Sequence, residues 1–334
     1  MTSLDLIAFL NKQNYDIRKT NNARWIDQKC TMDVINVIAD CILVFTKEDN
    51  DKEFTTSDIW HSQYSRDYVI DMFSKPDPEL KAKNEYDKYF GQPIKLLDYS
   101  GVLNSRKSGN KYIYKVANRK ILSYISFRET NTLNFLYEYI TKVLKDSDLY
   151  IYFEEFFREQ SKDYYRKLRD AFDTFMIENT PINGKTECGR IFTKIVNPLA
   201  FKLKKLGTER GHISKHIIRL EELKYNRINW RDELSEKDKS VTRKEYELHK
   251  KTAKDYAVAS YKINKAKRAV RSFNDKFRFG KSEIKQFAQT EKATQIHHIF
   301  PQSEFPQISD FLENLIALTP TQHYSYAHPD NKTM

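Results

Sequence analysis

The last forty residues constrain this chain most. Ala293-Thr294-Gln295-Ile296 leads into His297-His298 as a short strand that Pro301 stops, and Leu315-Ile316-Ala317-Leu318 reads as a second apolar strand. Thr319-Pro320 then has the chemistry of a helix start, with Thr as N-cap and Pro at the first helical position, where a missing N–H costs nothing. Four of the eight histidines, His297, His298, His323 and His328, fall in this piece. Their spacing predicts two strands and a helix folded so that imidazoles meet.

Upstream, 334 residues are enough for two or three domains, and a composition of 40% hydrophobic and 31% charged residues fits a folded chain dominated by long helices. Thr31 to Phe45 carries Val34, Ile38, Cys41, Ile42 and Phe45 at helical spacing, which predicts a helix with one buried face. Its apolar run, Val34 to Phe45, is interrupted by Asn36 and Asp40 and falls short of the roughly 20 residues that span a bilayer. No basic region followed by a clean apolar stretch opens the chain, so the expectation is a cytoplasmic protein with no membrane partner.

Thr56-Ser57-Asp58-Ile59-Trp60 looks like a capped helix start, Tyr64 to Phe73 a second short helix, and a third runs from Glu85 toward Tyr99. Gly101 to Ala117 then reads as a hairpin, turning at Lys107-Ser108-Gly109-Asn110 with Tyr112, Tyr114 and Val116 alternating on the return strand. Three helices and a hairpin with a basic tip resemble a winged-helix DNA-binding domain. That resemblance implies DNA contacts at Lys95 on the last helix and at Arg106, Lys107, Ser108 and Asn110 on the wing. A purely structural α+β domain is the alternative.

The net charge of +11 is unevenly placed. Residues 181–295 hold 29 Lys plus Arg against 14 Asp plus Glu, whereas 1–180 hold 27 against 28 and 296–334 hold 1 against 4. A polyanion is the natural partner of such a segment. Lys202, Lys204, Lys205, Arg227 and Arg231 lie there among Phe201, Tyr225 and Trp230, the mixture that suits a nucleic-acid groove. Farther on, Ala259, Ile263, Ala266, Val270, Phe273 and Phe277 recur at steps of four and three, predicting a packed helical seam with Lys262, Lys265, Lys267, Arg268, Arg271 and Lys276 on its other faces. Between Asn131 and Asn179 the aromatic spacing of Phe135, Tyr139, Phe153, Phe156 and Phe157 is what a helical core needs. Cys30, Cys41 and Cys188 are scattered and odd in number, which excludes a disulfide framework and a CxxC zinc site.

The histidine segment, roughly 290–330, resembles the HNH or ββα-metal nuclease family. The resemblance implies His297 as a metal ligand, His298 as general base, Asn314 as the residue that organises the loop, and His323 as the second ligand. The chemistry agrees: a neutral imidazole with a pKa near 6.5 can take a proton from water, and an Asn can donate and accept at once. Neighbours on a strand face opposite ways, so a bend at His297-His298 is expected. Colicin-type members place a further His four residues after the last one. Here that position is Ala327, and His328 overshoots the face by about a third of a turn unless the helix loosens before Pro329. Two His ligands leave room for water and phosphate oxygens, which points to one divalent ion, Mg²⁺ first, with Mn²⁺, Ni²⁺ or Zn²⁺ suited to imidazole.

Asn22 to Thr31, Arg190 to Phe201 and Tyr225 to Asp232 are similar to segments of bacterial type II restriction endonucleases of the HNH class. This resemblance implies site-specific cleavage of double-stranded DNA, a divalent metal and a cognate methyltransferase, and cutting both strands with a single such site suggests a homodimer or sequential nicking. Pro76-Asp77-Pro78-Glu79-Leu80-Lys81 superficially offers both halves of the other common restriction site, but too close together for two strands. A winged-helix regulator with an inactive HNH fold and a less specific nuclease or toxin are the competing readings. The expected architecture is α+β and mainly helical: a winged-helix-like recognition domain at 1–127, an aromatic-rich helical connector at 128–180, a basic helical DNA clamp at 181–288 and an HNH domain at 289–334.

Overall fold

In the computed structural model, which describes residues 3–20, 22–73, 83–225, 243–286 and 291–327, the chain is α+β and mostly helical. It divides into two compact units, 1–236 and 237–334. Unit 1 therefore holds the segments 1–127 and 128–180 with the first part of 181–288, and unit 2 holds the remainder.

Unit 1 begins with α1 (Ser3–Leu10), α2 (Ile17–Thr20), α3 (Met32–Thr46), α4 (Thr56–Trp60), α5 (Gln63–Phe73) and α6 (Lys83–Tyr99). The antiparallel hairpin β1 (Leu103–Ser108) and β2 (Lys111–Val116) follows. Then come α7 (Arg119–Phe127), α8 (Glu129–Asp146), α9 (Tyr150–Glu159), α10 (Lys162–Asn179) and α11 (Lys185–Leu203), and a second hairpin, β3 (Leu206–Glu209) and β4 (His212–Ile217).

Helix α3 departs from the expected single buried face. Ile35, Val37 and Ala39 fill the positions between the predicted stripe, and α5, α6, α7 and α8 pack around it, so it is buried almost throughout. Its polar residues are correspondingly paired. Asn36 Nδ2 donates to the carbonyls of Ile125 (2.8 Å) and Ser126 (3.0 Å), and the Tyr64 hydroxyl donates to Asp40 Oδ2 (2.6 Å). The aromatic residues Phe135, Tyr139, Phe153, Phe156 and Phe157 are core, and all three cysteines are buried free thiols.

The first hairpin turns at Gly109-Asn110, with Ser108 opposite Lys111 and Gly109 at φ 58°, the positive value a two-residue II′ turn needs at its first position. A single bridge between Phe54 and Tyr114 ties it to the link between α3 and α4. The second hairpin lies where the sequence suggested only a basic helical clamp. Arg210 and Gly211 both have positive φ (51° and 84°), the I′ pattern, and the density of charge had hidden the short strands on either side.

Unit 2 is built on α12 (Arg243–Arg278), against which the antiparallel pair β5 (Gln295–His298) and β6 (Leu315–Leu318) packs. Ala266, Ala293, Ile296, Leu315 and Ala317 form its core, with Val270 and Leu312 against them. The predicted seam is realised only in its middle: Ile263 and Ala266 are buried, while Ala259, Phe273 and Phe277 are exposed. Lengths explain this. A 36-residue helix extends roughly 54 Å, whereas a four-residue strand covers roughly 13 Å of it. Among the described residues no helix is long and apolar enough to cross a membrane.

Candidate active site

Strand β6 runs over the residues the sequence indicated, and its ladder sets His297 opposite Ile316 and His298 opposite Leu315. The register is regular through both histidines, so the bend expected between them is absent from the ladder. Both side chains nevertheless line one cleft of about 250 Å³, together with His323, Lys267, Gln302 and Ser303. Because His298 is the last residue of β5, the cleft reaches both imidazoles around the strand's end.

The His297 and His323 rings meet edge to face, 5.2 Å between centroids and 80° between planes. Two imidazoles sharing one ion at about 2.1 Å from each ring nitrogen would have centroids roughly 5 Å apart, so the separation alone is compatible with a shared ion. No group of three or more His, Cys, Asp or Glu that could hold a metal occurs among the described residues. An ion held by His297 and His323 would complete its shell from water and substrate oxygens.

The segment carrying His323 starts with a reciprocal cap. Gln322 N donates to Thr319 Oγ1 (3.1 Å), and Thr319 N donates to Gln322 Oε1 (3.0 Å). Gln322 Nε2 also donates to the carbonyls of Ile284 (2.9 Å) and Gln286 (2.7 Å), tying the turn to the chain before β5. His323 N donates to Thr319 O at 2.9 Å. From Gln322 to Ala327 the helix is π-type, wider than an α-helix, so it does loosen there. His328 lies outside the described residues.

His298 is oriented by a backbone carbonyl. Its Nε2–H donates to Ser309 O at 3.0 Å, which leaves Nδ1 as the basic nitrogen. Burial lowers its pKa below the ordinary 6.5 and the Lys267 cation adds to this, while the Ser309 carbonyl works the other way. The imidazole is therefore neutral at physiological pH.

Asn314 is buried and holds the loop that supplies that carbonyl. Its Oδ1 accepts from Phe300 N (2.7 Å), and its Nδ2 donates to Phe300 O (3.2 Å) and Ile308 O (3.3 Å), one residue before Ser309. The amide thus joins the end of β5 to the start of β6 and fixes the intervening loop. The sequence placed Lys267 among the cations on the other faces of α12, away from its seam, whereas in the structure it lines the histidine cleft. The signal was present, because Lys267 stands four residues after Ile263 and three before Val270, on the inward side of α12.

In unit 1, Lys95 is exposed on α6 with its Nζ 5.7 Å from the centre of the Tyr112 ring on β2. It also lines a cleft of about 540 Å³ with Arg24, Asp27, Gln28, Lys29 and Arg190. Two of the three sequence stretches noted above, Asn22 to Thr31 and Arg190 to Phe201, therefore converge on one polar cleft. Lys107, Ser108 and Asn110 are exposed at the hairpin tip, whereas Arg106 is gripped by Glu53 through two bonds of 2.9 and 2.7 Å. Lys202 donates to Asn134 Oδ1 (2.7 Å), Lys204 is the left-handed cap of α11 (φ 56°), and Lys205 is half-buried. Arg227, Arg231 and the Pro76 to Lys81 stretch lie outside the described residues.

Comparison with family models, with curated proteins and with solved structures gives no match to this chain.

Proposed function

We propose that the protein is a metal-dependent endonuclease of the HNH type that cleaves double-stranded DNA at specific sites, as a type II restriction enzyme does. One observation carries the reading: the His298 imidazole, fixed by Ser309 O with Nδ1 left basic, lines the same cleft as the edge-to-face pair His297 and His323. A neutral imidazole so oriented can take a proton from the attacking water, an effect worth about 10²–10⁴ in rate. His297 and His323 would hold the ion, and Asn314 keeps the loop carrying Ser309 in place. A bound divalent ion supplies Lewis-acid stabilisation of the phosphate and the leaving oxygen.

Unit 1 suits the recognition role. Its helices followed by a basic-tipped hairpin have the element order of a winged-helix domain, and the tip residues Lys107, Ser108 and Asn110 are exposed beside Lys95 and its polar cleft. Cutting both strands with one such centre per chain calls for a homodimer or two successive nicks. A host carrying such an activity needs a methyltransferase of the same specificity. Incubating a long mapped DNA with Mg²⁺, and in parallel Mn²⁺, Ni²⁺ or Zn²⁺, tests the reading. Discrete bands are expected, and His298→Ala is expected to lower cleavage at least about 100-fold with DNA affinity within about twofold. A smear would refute site specificity, and binding without cleavage would favour the regulator instead.

A further inference from the structure

We infer that Lys267 is the residue that grips the scissile phosphate, through a non-bridging oxygen, in the cleft of the three histidines. This rests on the nuclease reading of the same cleft. Lys267 stands on α12 between Ile263 and Val270, is half-buried, and lines the cleft with His297, His298 and His323, close enough for its charge to act on His298. Three other cations of α12 have local partners: Arg271 donates to Thr294 O (2.7 Å), Lys276 lies over the Phe277 ring, and Lys265 over Tyr261. Lys267 makes no ion pair with a carboxylate among the described residues, although burial lowers its pKa and so disfavours its charge. A partly desolvated cation in a cleft whose described lining includes no carboxylate leaves the cleft one anion short. A phosphodiester supplies that anion.

The chemistry of the reaction sets the consequence. Charge on the non-bridging oxygens grows as water adds to phosphorus, so a fixed ammonium is worth more in the transition state than in the bound ground state. Its loss must therefore appear mainly in kcat. Salt-dependent attraction to the rest of the duplex comes from the many exposed lysines and is nearly independent of this one residue.

The test uses the full chain with Mg²⁺ and compares wild type, Lys267→Met and Lys267→Arg. For Lys267→Met, kcat is expected to fall about 100-fold, while KM and the Kd for DNA without metal stay within about threefold. Lys267→Arg should recover at least about a tenth of wild-type turnover, which a merely structural role does not predict. If Lys267→Met fails to fold in thermal unfolding, Lys267→Gln is held to the same criteria. A kcat within threefold of wild type, or a loss confined to DNA binding, overturns the assignment of Lys267 alone. Absence of any metal-dependent cleavage by wild type overturns the nuclease reading and this inference with it.

Discussion

Asn314 concentrates what one buried amide can fix. Its three side-chain bonds satisfy both backbone groups of Phe300 and the carbonyl of Ile308, and Ser309, the next residue, orients His298. Asn314→Ala strands the two Phe300 groups, while Ile308 O keeps its bond from Phe311 N, at a cost of about 1–3 kcal/mol. The expected outcome is a lower unfolding temperature and, well below it, a kcat reduced at least about tenfold with unchanged DNA affinity. Wild-type turnover in that variant would show that the Ser309 carbonyl holds its place without Asn314. Asn314 and the histidines were legible in the sequence because their geometry is made within thirty residues, by a hairpin and one cap. Lys267 was not, since its role depends on which side of a long helix the small sheet covers.

Elements were legible where local chemistry dictates them and obscure where packing does. Strand β6 and the β1–β2 hairpin follow from apolar content, alternation and Gly109-Asn110. The reach of burial along α3 and α12 does not, because it is set by partners distant in sequence or by their shortness. The turn carrying His323 is of the first kind. Its Thr319 and Gln322 bonds are reciprocal, so Thr319→Ala should cost about 1 kcal/mol of stability. Because the same cap aims His323 at His297, the variant should also need severalfold more metal for half-maximal cleavage. An unchanged metal requirement would detach the cap from the candidate metal pair.

At the scale of the molecule, charge and chemistry are divided between the units. Residues 237–295 of unit 2 hold 17 Lys plus Arg against 7 Asp plus Glu, so the sequence-independent pull on a polyanion resides largely where the candidate chemistry is. In unit 1 acidic residues nearly balance the basic ones, and its individually placed cations should differ in what they contribute. Lys107 is exposed at the hairpin tip, whereas Arg106 already has Glu53, whose carboxyl its guanidinium holds below the usual range. A phosphate contact contributes about 0.9 to the slope of log affinity against log salt. Lys107→Ala should therefore lower that slope by about 1. Arg106→Ala should change it by less, since an arginine that stays with Glu53 releases no counterion from DNA. Equal changes would mean that Arg106 exchanges its carboxylate for phosphate on binding, and no change in either would remove the hairpin from the DNA face.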